Sequence, residues 1–249
     1  MLKRLLFVAC PFVAGLSVLL WAGCDLSGEY DKKVQASLQS AGQRAVFDLN
    51  LHPTFTEVVD SAKQNTGVKL RLPKVFDANS KAIALDKAPI KLPGLTYILE
   101  RQLDDDNGQF LPAILVFAVF PKAEIKPDAL QNTLVQAAKL MAPNAAWSDV
   151  NLATPTGQTI ALKRLRTEGK QPMASGKKAV ETEVRSDAYL IDAGANNVLI
   201  GWTTPKAQAQ KYHLEAATEA AMGTLENTAP PAAPGGKAAP AGKAAAGCF

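Results

Sequence analysis

From Leu111 to Phe120 the chain reads Leu-Pro-Ala-Ile-Leu-Val-Phe-Ala-Val-Phe, and from Ala113 onward nothing polar and no alternation interrupts it. A strand with one wet face alternates with period two, so this run predicts an interior strand covered on both faces. Its shortness, its Val, Ile and Phe content, and the prolines Pro112 and Pro121 argue against a buried helix.

The flanking patterns supply partners for that strand. Leu95, Tyr97, Leu99 and Leu103 alternate, and Asp104-Asp105-Asp106-Asn107-Gly108 then turns the chain back, which predicts a hairpin. Val68 to Leu72 alternates and stops at Pro73, the pattern of a strand with one wet face. Leu130, Leu134, Ala137, Ala138 and Met141 mark one helix face that Pro143 closes, with Asp128 near its start. Trp147 to Leu152 and Thr159 to Arg166 read as strands joined at Thr154-Pro155-Thr156-Gly157, followed by a basic loop to Lys178. Val180 to Ala193 and Val198 to Thr203 form a last hairpin around Gly194-Ala195-Asn196-Asn197. A single helix from Pro205 to Leu225 follows, with Leu214, Ala217, Ala221 and Leu225 as its buried stripe.

Upstream the pattern is weaker. Leu26 to Gln43 has helical spacing, and Ala45 to Leu51 is a candidate short strand. Thr54 or Thr56 would cap a helix through Ala62 that Gly67 ends. Lys74 to Pro93 shows no sustained period and reads as a surface loop.

These elements predict an α+β fold, an antiparallel sheet with helices on both faces, in one domain. The segment Ala188-Tyr-Leu-Ile-Asp-Ala-Gly-Ala-Asn-Asn-Val-Leu-Ile-Gly-Trp-Thr-Thr-Pro205, with the helix after it, resembles the closing hairpin and helix of the PsbP-like α/β/α sandwich. The resemblance covers Val68 to Leu225 and is one of architecture, without a diagnostic motif. It implies a module that binds or assists protein assemblies, and it transfers no site residue.

The chain begins with Lys3 and Arg4, an uncharged apolar segment from Leu5 to Ala22, and Gly23-Cys24 just before Asp25. This is the form of an export signal, and it resembles a bacterial lipoprotein signal with Cys24 as the lipidated residue. Trp21 stands where a small aliphatic residue is usual; an uncleaved anchor and plain secretion are the other readings. All three put the remainder outside the cytoplasm, and the expected location is the cell envelope, anchored on the extracytoplasmic side of a membrane. The expected organisation is a signal over 1–23, a tether with short helices over 24–66, a sandwich domain over 67–226 and a disordered tail over 227–249. That tail is almost only Ala, Pro, Gly and Lys after Thr228, too little apolar surface to offset ordering.

Composition then narrows the function. The 249 residues carry a net charge of +4. Setting aside Lys3, Arg4, Lys237 and Lys243 leaves as many basic residues as the 23 acidic ones, so the domain has no broad basic face for a nucleic acid. The three cysteines are Cys10, Cys24 and Cys248, all outside the domain, which an apolar core must therefore hold.

Motifs for catalysis are absent from the sequence. His52 and His213 lack the partners a zinc site needs, and no cofactor is expected. The acidic turn has Leu103 where a calcium loop needs its first oxygen ligand. Ser175-Gly176-Lys177-Lys178 has S-x-x-K spacing but no K-T-G after it. Trp147 and Trp202 are candidates for a stacking pair, with core packing the plainer reading. Glu181 and Glu183 share one strand face and form the alternative, an envelope hydrolase-like or small-ligand-binding enzyme. The main expectation is a non-catalytic module. Lys163, Arg164, Arg166, Lys170, Lys177 and Lys178, opposed only by Glu168, would form a basic hairpin for an anionic envelope partner, whether lipid, glycan or protein surface.

Overall fold

The computed structural model describes residues 32 to 229 apart from 36, 39, 40, 43, 89–91 and 177. The signal segment with Cys24, and nearly all of the predicted tail, lie outside the described residues. The chain divides into two units, Met1–Val46 and Phe47–Phe249. In the first, the described residues from Lys32 to Val46 are helical and exposed. No helix among the described residues is long and apolar enough to cross a membrane.

The second unit opens with helical residues 47–50, where the sequence predicted a strand. Its strands are β1 (Leu51–Val59), β2 (Asn65–Pro73), β3 (Lys81–Ala82), β4 (Leu95–Asp104), β5 (Phe110–Pro121), β6 (Trp147–Ala153), β7 (Thr159–Ser175), β8 (Lys178–Ala193), β9 (Asn196–Pro205) and β10 (Glu226–Asn227). The helices are α1 (Pro127–Lys139), α2 (Lys206–Lys211) and α3 (Leu214–Gly223). Seven strands form one sheet in the order β3-β4-β5-β9-β8-β7-β6, and β1-β2-β10 form a second. Every pairing is antiparallel.

The interior strand is where the apolar run placed it: β5 lies between β4 and β9, and all of Leu111 to Phe120 is buried. Ala113, Leu115, Phe117 and Val119 face the smaller sheet and α3, packing with Leu70, Tyr189 and Met222. Ala118 and Phe120 face the other way, under Leu130 and Leu134 of α1. Ile114 and Val116, on that same face, are covered by Met173 of β7, which β9 and β8 separate from β5 in the sheet. The β7–β8 ribbon therefore curls over the sheet instead of lying flat at its edge. With α1 on one face and α3 on the other, the fold is the α+β sandwich that the sequence predicts, with the small sheet as an added cover. A register shift between Leu95 and Tyr97 turns Leu95 to the face opposite Tyr97 and Leu99, against the simple alternation expected.

Further elements differ from expectation, among them the predicted surface loop from Lys74 to Pro93, which contains β3. The helix predicted over Thr54 to Ala62 is strand β1, with two register shifts that broke its alternation, so residues 47–66, assigned to a tether, belong to the folded unit. Gly67 has the positive φ, +80°, expected of a helix stop but sits inside β2. A Cβ there would lie 2.6 Å from the Ala229 nitrogen, because β10 and Thr228 close against β2. Thr228 donates to the Gly67 carbonyl at 2.8 Å, so order runs past the expected boundary at 226. The basic loop after Arg166 is the continuation of β7. The single C-terminal helix is broken at Tyr212 and His213, where His213 takes a left-handed φ of 50°.

Candidate functional site

Residues paired across β7 and β8 share a face, and the register sets Arg164 against Tyr189, Arg166 against Asp187, Glu168 against Arg185 and Lys170 against Glu183. These side chains project toward α2 and α3. Lys163, opposite Leu190, and Lys178, opposite Ser175, lie on the other face. The six-residue basic patch is thus split by the period of two, and Lys177 is outside the described residues.

Two of the arginines on the helix side are also already engaged. Asp187 is buried, and Arg166 grips it with Nε to Oδ1 at 2.6 Å and Nη2 to Oδ2 at 3.3 Å. Arg185 Nε lies 3.2 Å from Oδ2, and Arg164 Nε 3.9 Å from Oδ1. From α3, Glu219 accepts from Arg164 at 2.9 Å, while Glu215 meets Arg166 at 3.3 Å and also Arg185. Glu215 and Glu219 are four apart, so the helix presents both to the ribbon at once. Lys163, Lys170 and Lys178 remain exposed, and the Arg164 and Arg166 share of the positive excess is neutralised within the fold. Its counter-charges, Asp187, Glu215 and Glu219, come from distant segments.

Burial pushes the Asp187 carboxyl above its ordinary value, against the pull of the Arg166 hydrogen bonds and charge. Arg166 is also buried in part, which opposes its charge, yet its bonds to Asp187 carry its pKa upward. Burial, with Asp187 nearby, raises the Tyr189 hydroxyl to about 12, so it stays neutral. It forms no hydrogen bond among the described residues.

Between this network and the two short helices runs an open groove of about 640 Å³, lined by Glu168, Arg185, Lys206, His213, Glu215 and Glu219, among others. Lys206 reaches Glu168 at 2.8 Å across it. The helix break that shapes the groove is pinned from behind. Lys211 Nζ donates to Asp104 at 2.8 Å, and the Tyr212 hydroxyl donates to the same carboxylate. The hydrogen bonds of Lys211 and then Tyr212 hold the Asp104 pKa down to about 2. A depressed folded-state pKa stabilises above the ordinary carboxylate value and is lost as pH falls through the folded one. Wild type should therefore exceed Asp104→Asn in stability at pH 5, with the gap closing between about pH 4 and 2. Paired urea titrations at both ends of that range check it, and a constant gap would mean that the pin does not depend on the charge.

The remaining candidates fall apart from one another. Glu181 and Glu183 are both exposed and line a smaller cleft of about 280 Å³. His52 is tied by Nε2 to the Phe76 carbonyl at 3.0 Å, while His213 starts α3. Trp147 donates to the Gln131 carbonyl at 3.1 Å beneath α1, whereas Trp202 packs on Phe76 at 5.8 Å on the opposite face, so the two do not pair. The acidic turn holds itself: Asp105 Oδ1 accepts from the Asn107 and Gln109 amides, each at 2.8 Å. Ser175 and Gly176 begin the tight connection between β7 and β8. Among the described residues, no group of three or more His, Cys, Asp or Glu could hold a metal.

No family model matches the chain, and no curated protein is similar to it. Among the solved structures that resemble it at a distance are two with the following likeness. One is a crystal structure of a protein from Bacteroides thetaiotaomicron, with 11% identity and a TM-score of 0.33 over 65% of this chain; the match spans only 45% of that protein's length. The other is the solution structure of cyanobacterial PsbP (CyanoP) from Synechocystis sp. PCC 6803, with 8% identity and a TM-score of 0.36 over 71% of this chain and 94% of that one. Likeness at this level assigns the chain neither a family nor an activity.

Proposed function

We propose that the chain is a non-catalytic binding or assembly module of the cell envelope, anchored to a membrane through a lipid on Cys24. Its folded domain would dock another envelope component in the groove beneath α2 and α3. The observation that carries this reading is that the charged side chains lining the groove are committed to one another: Glu168 to Lys206, Arg185 to Glu215, and Glu219 to Arg164. Such side chains make a fixed pattern of both signs, suited to steering and register. They are poorly placed to exchange protons with a substrate, since a general acid or base must be available to the reacting group. The PsbP-like resemblance of residues 188–205 points the same way.

The test uses the tagged full chain in detergent, crosslinked in its own membranes. Exchanging the exposed rim pair, Glu168→Lys with Lys206→Glu, keeps the internal ion pair but inverts what a partner meets. The melting temperature should hold while the captured component falls at least about tenfold, because misplaced like charges cost several kcal/mol at an interface. Equal capture by the exchanged protein would overturn the groove as the docking surface. Labelled fatty acid should be incorporated into wild type and not into Cys24→Ser. An unlabelled wild type would overturn the lipid anchor alone.

A further inference from the structure

The smaller cleft has a different chemistry from the groove. It lies where the turn between β4 and β5 meets β8 and the start of α2, and its walls include Asp105, Glu181, Glu183, Lys206 and Gln208. Three carboxylates face one ammonium, and that ammonium is already held by Glu168 at 2.8 Å. Gln208 is fully buried. Its Nε2 donates to the carbonyls of Gln109 at 3.3 Å and Leu103 at 3.5 Å, which leaves Oε1 buried without a donor. The cleft therefore carries more acceptors than donors. A buried acceptor with no partner is a standing deficit that a donor from outside would remove.

The neighbouring backbone is also open. β9 pairs with β8 only as far as Val184, opposite Pro205, so among the described residues no strand pairs with 178–183 of β8 on that side. An unpaired edge of this kind is a template for an extended segment of another chain. The edge and the cleft are contiguous, because Val180 to Glu183 belong to both.

We propose that the β8 edge accepts an extended segment of a partner protein, with an arginine of that segment inserted in the cleft. A volume of about 280 Å³ suits one long side chain better than a whole cofactor. Guanidinium fits the lining because its planar fork donates in several directions at once, to a carboxylate and to an amide oxygen together. A metal ion fits less well, since these carboxylates do not come together as a metal-binding group. Glu181 and Glu183, read from the sequence as an acid/base pair, become the counter-charges of the inserted cation. The site is separate from the groove and shares only Lys206 with it.

The probe is a short extended peptide, acetyl-Thr-Val-Arg-Val-Thr-amide, titrated against the full chain in detergent micelles by fluorescence polarisation, with amide shifts of Thr182 and Gln208 followed by NMR. Replacing arginine by citrulline keeps the shape and removes the charge. It should weaken binding by about tenfold or more, as should Glu181→Gln with Glu183→Gln in the protein, since each removes charge-assisted hydrogen bonds. Both glutamates are exposed, so the double variant is expected to fold, and an unchanged melting curve confirms that it has. Equal affinity for the citrulline peptide, equal affinity of the double variant, or no binding at millimolar peptide would each overturn the proposal. N-acetylarginine amide binding as tightly as the peptide would overturn the segment in favour of a free guanidinium.

Discussion

Phe117→Ala is expected to destabilise the domain by about 3–5 kcal/mol, a fall of roughly 6 to 20 °C in melting temperature. The ring is 2% exposed and lies at the middle of β5, opposite Ile200 of β9. It stacks on Tyr97 with centroids 5.6 Å apart and planes 26° from parallel, and it belongs to the cluster that joins the large sheet to the small one. Removing it takes away transfer energy and leaves a void that two sheets, tied by their own hydrogen bonds, close only in part. Phe117→Leu, which keeps most of the volume, should cost about 1 kcal/mol. A loss below that for the alanine variant, measured by urea unfolding, would mean that the two sheets do not pack through this residue.

Asp187→Ala is expected to have a comparable effect for an electrostatic reason. Asp187 is buried among Arg164, Arg166 and Arg185, and Arg166 holds it through both carboxylate oxygens. Without it, three guanidinium groups crowd together with only the half-exposed Glu215 and Glu219 to offset them. Breaking a buried ion pair by removing one partner costs about 3–5 kcal/mol, mostly from the charge left behind. Glu215→Gln should cost about 1 kcal/mol or less, since water screens that carboxylate. The contrast should persist in high salt, because buried pairs are screened little. If the two variants proved equally mild, the cluster would be an ordinary solvated surface.

What could be read from the sequence follows from how local each signal is. The β5 run announces itself, since no polar residue interrupts it after Pro112, and Asp128 marks the entry to α1. β1 is hidden: four of its nine residues are exposed. Two register shifts displace its alternation, and Thr54 and Thr56 imitate helix caps. At Gly67 the positive φ was legible, whereas the close approach of Ala229 that also demands glycine was not. The ribbon after Arg166 looks like a loop by its charge. Its periodicity was nevertheless present, with Leu165, Thr167 and Met173 on the covered face and Arg164, Arg166 and Glu168 on the other. Arg185 and Asp187, two apart on β8, and Glu215 and Glu219, four apart on α3, were the available hints of the ion network. A count of charge along one window could not join them, because each sits on a different element.

The small sheet has a bearing on when the protein can fold. Strand β2, near the start of the domain, is flanked on one side by β10, which is made from its last residues. The Arg71 amide likewise donates to Thr224 Oγ1 at 2.9 Å, just after α3. Contacts so distant in sequence are slow to form, because a long loop must close before any of them is rewarded. A chain that emerges N-terminus first leaves β2 waiting with one edge unpaired until nearly all of the domain has appeared. Completion of this sheet is therefore expected to be among the latest events after synthesis, and a chain stopped short of Glu226 would keep that edge open to other strands.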